Sequence, residues 1–255
     1  RLEGEVRGLI LTSALMYLLL KLIWLLLPSS FLGILKNQLS GHLVYQLLLA
    51  GLVLLLPLLI YAKFHPFPIG RIFGPVMPAG SQNATAALIG IPLGVLTLSL
   101  QNIFSAMIPE LYSSNLRRFM YMPHSLRPGS SIMMLLLLIL IPAFLEELFF
   151  RGNLFTSLYR QGHIKAAFIL PSFLYAFLTK DPVVIIPFIA GIAFSFVRYL
   201  SSSLFSTMLA HLSFGVTIAL LYQFFPAFVR TVPLSSSAGQ ASLYASIVAL
   251  IVSGV

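Results

Sequence analysis

The sequence predicts an all-α membrane protein, a polytopic helical bundle of about eight transmembrane spans. Of its 255 residues, 59% are hydrophobic and only 8% are charged, and the mean hydropathy is +1.00. Soluble domains carry about 25% charged residues, which excludes an ordinary globular fold. A spanning helix takes roughly 20 apolar residues, so this length holds about eight of them. The sequence contains no cysteine, which excludes disulfides and thiolate metal sites within it.

Apolar runs place the spans in order along the chain. They cover Gly8–Leu27, His42–Ala62, Ala84–Ile108, Ser131–Phe150, His163–Leu178, Pro182–Leu200, Leu204–Phe225 and Ala238–Val255. The fifth run is short and is interrupted by Pro171. Of the two longer connections, Lys63–Asn83 is too rich in Pro and Gly for a regular helix, and Glu110–Ser130 is too short for a domain. Residues 1–255 are therefore expected to form one transmembrane domain.

Basic residues give the predicted orientation. The formal charge is +9, and most Lys and Arg residues fall in short connections, where they are typical of topology signals and contacts for anionic lipid. This placement argues against a nucleic-acid partner. With a cytoplasmic N-terminus, eight basic residues, among them Arg151 and Arg198, lie in inner connections and six lie in outer ones. Both termini are then expected in the cytoplasm.

Two of the six acidic residues, Glu146 and Glu147, fall together in the last turns of the fourth span. A charged side chain at mid-bilayer costs about 2.5–3.5 kcal/mol on insertion scales, so such a pair indicates a function. Glu147 and Arg151 stand four residues apart, the spacing of a helical salt bridge, whereas Glu146 points about 100° away from that partner. Pro142, one turn earlier, is expected to kink the helix. Anchoring of the helix end at the interface is the alternative explanation of the pair.

His211, in the seventh span, is the second ionisable group within an apolar run. A single histidine in a bundle is often a hydrogen-bonded core residue. Paired with Glu146 from another span, it becomes part of a candidate polar site, and the two side chains should then lie within about 10 Å.

The run Glu146-Glu147-Leu148-Phe149-Phe150-Arg151-Gly152 resembles the EExxxR motif of the CPBP family. That family groups type II CAAX prenyl endopeptidases with bacteriocin-processing and Abi-like membrane proteins. Ala210-His211 resembles the start of its HxxxN motif, and the resemblance covers approximately residues 131–225. It implies a glutamate-type intramembrane peptidase in which Glu146 is the base that activates water. Glu147 and Arg151 would hold the site together, and His211 would donate to the oxyanion.

Two positions depart from the family pattern. The FxxxH motif falls on Tyr175-x-x-x-Thr179, with threonine in place of the histidine that positions the water. Gly215 stands four residues after His211, in place of the Asn of HxxxN. Loss of one member of a catalytic unit usually removes orders of magnitude of rate. No cofactor is expected, and Glu146, Glu147 and His211 make a poor ligand set for catalytic zinc.

Three functions follow, in order of preference. The first is a pseudoprotease or low-activity family member, a membrane subunit that binds a hydrophobic or lipidated peptide or a partner membrane protein. The second is an active intramembrane endopeptidase, in which His163 is the nearest replacement for the missing histidine. The third is a small-solute or ion transporter with Glu146 as proton carrier. The expected location is the bilayer of a bacterial or archaeal cell membrane.

Overall fold

A computed structural model describes residues 80–108, 139–141, 143–179, 183–224 and 245–248. These residues are 93% helical and include no strand, which confirms the all-α class. Within them, Gly80–Phe104 and Leu204–Leu221 are long and apolar enough to cross a membrane, and Ile164–Phe177 and Ile185–Ser201 are shorter apolar helices. The first two predicted spans and Pro142 lie outside the described residues, so the count of eight spans stays a prediction.

The helices follow the apolar runs closely, with one exception. They are α1 (Gly80–Met107), a π-helix (Leu148–Phe155), α2 (Thr156–Arg160), α3 (Ile164–Thr179), α4 (Ile185–Ser201) and α5 (Leu204–Phe224). Residues 139–141 and 143–147 are also helical and lead into the π-helix, and residues 245–248 form one further helical turn. Helix α1 begins at Gly80, inside the Pro- and Gly-rich connection Lys63–Asn83. Residues 80–83 are therefore helical, although this connection was predicted not to form a regular helix.

The exception is the fourth run, which was predicted to end near Phe150. The helical path instead continues through the π-helix and α2 to Arg160, so the two glutamates do not lie in its last turns. Arg151 and Arg198, which were counted as connection residues, are buried within helices. Without them, six basic residues remain on each side, and the positive-inside count no longer favours either orientation.

Two residues in the left-handed region end helices tightly. Gly162 has φ +79° after α2, and the bonds from Gly162 N to Tyr159 O and from His163 N to Leu158 O close a Schellman turn. Ser202 has φ 53° after α4, and its carbonyl accepts a bond from the Arg198 guanidinium. These turns join α2 to α3 and α4 to α5 through very short connections.

Helices α1 and α5 pack against each other in parallel. Ser206, near the start of α5, donates to Asn83 Oδ1 near the start of α1 at 2.9 Å. Further along both helices, a Cβ added to Gly94 would meet Phe214 O and the Thr217 side chain at 3.1 Å. Small residues allow such close backbone approach between helices in membranes. The contact fixes the position of α5, which carries His211.

Helix α3 continues through Pro171, although the proline was expected to interrupt it. The hydroxyl of Ser172 donates to Phe168 O at 2.6 Å, beside the backbone bond that the proline cannot make. The same helix presents Ile169, Phe173 and Phe177, spaced four residues apart, as an exposed apolar stripe. An exposed stripe of this kind is typical of a surface that faces lipid.

Candidate functional site

Glu147 and Arg151 form the predicted salt bridge in a fully buried position. Arg151 Nη1 donates to Glu147 Oε1 at 2.9 Å, and neither side chain is exposed. Arg151 Nη2 donates to the carbonyl of Gly191 in α4 at 2.8 Å. The guanidinium carbon also lies 5.1 Å from the ring centroid of Tyr175 and 5.3 Å from that of Phe194, within cation–π range. Arg151 therefore connects α3 and α4 to the glutamate-bearing helix, which comprises residues 143–147 and the π-helix that follows them.

The absence of a side chain at Gly191 makes this tie possible. A Cβ at Gly191 would come within 2.9 Å of Ser172 Cα, which shows how closely α3 and α4 approach each other there. The Gly191 carbonyl is thereby held beside the guanidinium. The π-helix begins directly after Glu147 and places Arg151 within it, and π-turns of this kind occur frequently at functional sites.

His211 of α5 joins the buried pair. Its Nδ1 lies 2.9 Å from Glu147 Oε1, so this one carboxylate oxygen accepts bonds from both His211 and Arg151. An ionised carboxylate only accepts hydrogen bonds, so a neutral imidazole that bonds Glu147 carries its proton on Nδ1 and leaves Nε2 as an acceptor. The ring stacks on Phe194, with centroids 4.6 Å apart and an interplanar angle of 22°. The orientation of the imidazole is thus fixed on two sides.

Glu146 faces the other edge of the same imidazole. Its Oε2 lies 3.7 Å from His211 Nε2, well within the predicted limit of 10 Å. Its side chain is 16% exposed, whereas the Glu147 side chain is fully buried. The two adjacent carboxylates therefore differ: Glu147 is held in a network, and Glu146 borders accessible space.

Tyr175 of α3 completes the cluster. Its hydroxyl lies 3.5 Å from His211 Nε2, and its ring meets the imidazole edge-to-face with centroids 5.8 Å apart. With the Nδ1 proton directed at Glu147, the phenol is the donor in the contact with Nε2. Tyr175 stands at the Phe position of FxxxH in the sequence, and no role was predicted for it. The feature of the sequence that could have indicated a role is the phenolic hydroxyl of Tyr175, which stands among the apolar residues 173–178.

Gly215, the second departure from the family pattern, lies where α5 approaches the glutamate-bearing helix. A Cβ added at this position would overlap the side chain of Ile139, which lies seven residues before Glu146 in the sequence. The space for an Asn side chain is therefore taken by Ile139. The glycine serves helix packing at a position where the family pattern has a hydrogen-bond donor.

His163 lies away from the cluster, and Thr179 is described only by its place at the end of α3. His163 is exposed in the turn before α3, three helical turns from Tyr175 along that helix. Thr179 is the last residue of α3, one turn beyond Tyr175, and its side chain is outside the described part of the chain. No group of three His, Asp or Glu side chains suited to a metal ion occurs among the residues that the structure describes.

Comparison with known proteins gives one match. Residues 128–217 match the family model described as type II CAAX prenyl endopeptidase Rce1-like, which spans the acidic pair, α3, α4 and most of α5. No curated protein and no solved structure matches the chain. The match together with the apolar helices indicates an integral membrane protein. It also confirms the resemblance found in the motifs: residues 128–217 are similar to the type II CAAX prenyl endopeptidases, which are part of the CPBP family.

Proposed function

We propose that this protein is a CPBP-family pseudoprotease that holds a hydrophobic or lipidated peptide, or the spanning helix of a partner. The ligand would lie at the Glu146 site, the cluster formed by Glu146, Glu147, Arg151, Tyr175 and His211. The observation that carries the proposal is the orientation of His211, whose Nδ1 lies 2.9 Å from Glu147 Oε1. A neutral ring that donates its Nδ1 proton to this oxygen offers Nε2 only as an acceptor. An oxyanion donor must instead present a hydrogen. In the neutral state, His211 is therefore unsuited to the role that the family resemblance assigns to it.

The surroundings of His211 support the same proposal. The family motif includes a second histidine, which positions water. Among the described residues, the phenol of Tyr175, and no second imidazole, lies next to Glu146 and His211. The pattern also asks for an Asn four residues after His211, and Ile139 fills that space. The buried Glu147–Arg151 pair is intact and holds three helices together. The pair that holds the site together is thus retained, whereas two positions that the family pattern gives to the reaction hold Thr179 and Gly215.

A photoreactive peptide ending in a farnesylated CAAX sequence tests this proposal. We expect the purified protein to crosslink to the intact peptide, as read by mass spectrometry, more strongly than to the same peptide without the lipid. The fraction of shortened peptide should be equal in wild type and Glu146→Gln. Cleavage that disappears in Glu146→Gln would refute the pseudoprotease assignment. Equal labelling by the farnesylated and unmodified peptides would refute recognition of the lipid.

The second candidate is an active endopeptidase, and one observation favours it. Glu146 keeps access to space beside an imidazole acceptor, and the Tyr175 hydroxyl is a hydrogen-bond donor near both. The substitution Thr179→His separates the candidates, because it restores the family's histidine. Under the pseudoprotease proposal cleavage appears only in this variant, whereas an enzyme that is already active gains little from it.

A further inference from the structure

Hydrogen-bond acceptors and a donor meet at the Nε2 edge of the His211 imidazole. Glu146 Oε2 lies 3.7 Å from Nε2, which is beyond hydrogen-bond distance, and the Tyr175 hydroxyl lies 3.5 Å from the same atom. The carboxylate and the Nε2 of a neutral imidazole accept hydrogen bonds, whereas the phenol can donate one. Because the Glu146 side chain is 16% exposed, this edge of the imidazole borders accessible space.

The hydroxyl of Tyr175 is bonded weakly, although its ring is held firmly. The ring meets Phe150 and Phe194 edge-to-face, with centroids 5.8 Å and 6.3 Å apart, and the guanidinium carbon of Arg151 lies 5.1 Å from its centroid. Within the described part of the chain, the hydroxyl makes one hydrogen bond, to His211 Nε2, and its length of 3.5 Å is at the limit for such a bond. Rotation of the hydroxyl can therefore redirect its proton to a better acceptor while the ring stays in place.

The other donors of the Glu146 site are committed to the protein or enclosed by it. His211 Nδ1 lies 2.9 Å from Glu147 Oε1. Arg151 donates to the same oxygen through Nη1 and to Gly191 O through Nη2, and its Nε is buried. Exchange of the Arg151 bonds for bonds to a ligand would separate a buried ion pair, which is strongly unfavourable. The phenol of Tyr175 is thus the donor that a ligand can engage at the smallest loss.

The backbone of an extended peptide matches this combination of groups. Each residue carries one N–H donor and one C=O acceptor, and in an extended chain both groups of one residue point to the same side. The backbone groups of a spanning helix, in contrast, already bond one another. Of the ligands proposed above, a peptide without helical structure is therefore the one that can use the acceptors and the donor together.

We infer that the Tyr175 hydroxyl donates a hydrogen bond to a backbone carbonyl of an extended peptide, and that the N–H of the same peptide residue faces Glu146 and His211 Nε2. Tyr175 is then a specificity-determining residue of the Glu146 site. The inference rests on the proposed function, since it concerns the ligand of that site. A neutral hydrogen bond of this kind changes binding about fivefold.

The test measures how well unlabelled peptides displace a photoreactive farnesylated CAAX peptide from the purified protein. Tyr175→Phe removes the hydroxyl and keeps the ring. Tyr159→Phe is the matched control, because it removes a phenolic hydroxyl in α2, outside the Glu146 site. In the unlabelled farnesylated peptides, a trans-alkene replaces each peptide bond of the CAAX sequence in turn, which removes the carbonyl and keeps the shape of the chain. Circular dichroism checks the folding of both variants.

We expect the unmodified farnesylated peptide to bind Tyr175→Phe about fivefold more weakly than wild type or Tyr159→Phe. One alkene peptide should bind wild type about fivefold more weakly than the unmodified peptide, and this difference should disappear in Tyr175→Phe. The alkene series on wild type alone also tests the inference, because an alkene that lowers binding nowhere in the CAAX sequence would exclude a bonded carbonyl.

Equal binding of the unmodified peptide to wild type and Tyr175→Phe would overturn the inference and leave the proposed function standing. A loss in Tyr175→Phe of the same size for every peptide would also overturn it, because the hydroxyl would then act by positioning His211. If the photoreactive farnesylated peptide does not crosslink to wild type, the proposed function is refuted and the inference fails with it.

Discussion

Replacement of Arg151 by methionine should destabilise the protein more than any other single change of charge at the site. The side chain is fully buried, bonds Glu147 Oε1 at 2.9 Å and bonds Gly191 O at 2.8 Å. Two unit charges about 4 Å apart attract with about 4 kcal/mol at an effective dielectric constant of about 20. Removal of one partner of a buried pair typically costs about 3–5 kcal/mol, because the other charge stays buried. We expect the free energy of unfolding to fall by that amount.

The double variant Glu147→Gln/Arg151→Met isolates the reason for the loss. It removes both charges, while the side-chain oxygen of the introduced glutamine can still accept the bond from His211 Nδ1, which lies 2.9 Å from Glu147 Oε1 in the native protein. We expect this variant to be at least about 1 kcal/mol more stable than Arg151→Met alone, since no unpaired charge remains. Arg160→Met, at an exposed arginine, is the control and should change stability by no more than about 0.5 kcal/mol.

Reversible unfolding by SDS in mixed micelles, followed by circular dichroism, gives the free energies for this comparison. A loss below about 1 kcal/mol in Arg151→Met would refute the reasoning, because a buried charge cannot be left unpaired so cheaply. Additivity of Glu147→Gln and Arg151→Met in the double variant would also refute it, since additive effects mean that the two side chains are not coupled.

Three further predictions rest on separate contacts. Gly90→Ala should cost about 1–3 kcal/mol in the same unfolding assay, because its Cβ would overlap α5, whereas Gly80→Ala, with open space around it, should not destabilise. Tyr175→Phe keeps the ring packing and loses only a long hydrogen bond, so it should cost at most about 1 kcal/mol; a larger loss would mean that the hydroxyl is structural. Asn102 Nδ2 donates to Ser246 Oγ at 3.0 Å in a buried contact. A double-mutant cycle with Asn102→Leu and Ser246→Ala should therefore give a coupling energy of about 0.6 kcal/mol. A coupling energy of zero would mean that the two side chains do not form this hydrogen bond.

The all-α class and the spacing of the acidic pair from Arg151 could be predicted because both are local. An apolar run of sufficient length has one way to satisfy its backbone in lipid, which is a helix. Residues four apart on a helix are neighbours whatever surrounds them, so the Glu147–Arg151 bridge follows from spacing alone. The end of the fourth helix was missed because a charged residue inside a helix looks, in sequence, like a residue in a connection.

The sequence by itself determined an apolar helical protein, motifs that resemble those of the CPBP family, and four residues of the site: Glu146, Glu147, Arg151 and His211. Only the tertiary structure decided how those residues meet. His211 lies 64 positions after Glu147, and no periodicity indicates that its Nδ1 faces the same oxygen as Arg151. Tyr175 and Ile139 acquire their roles, beside the imidazole and against Gly215, from the packing of α3, α5 and the glutamate-bearing helix. Contacts of this kind depend on how separate helices approach, and the local pattern of each helix does not encode that approach.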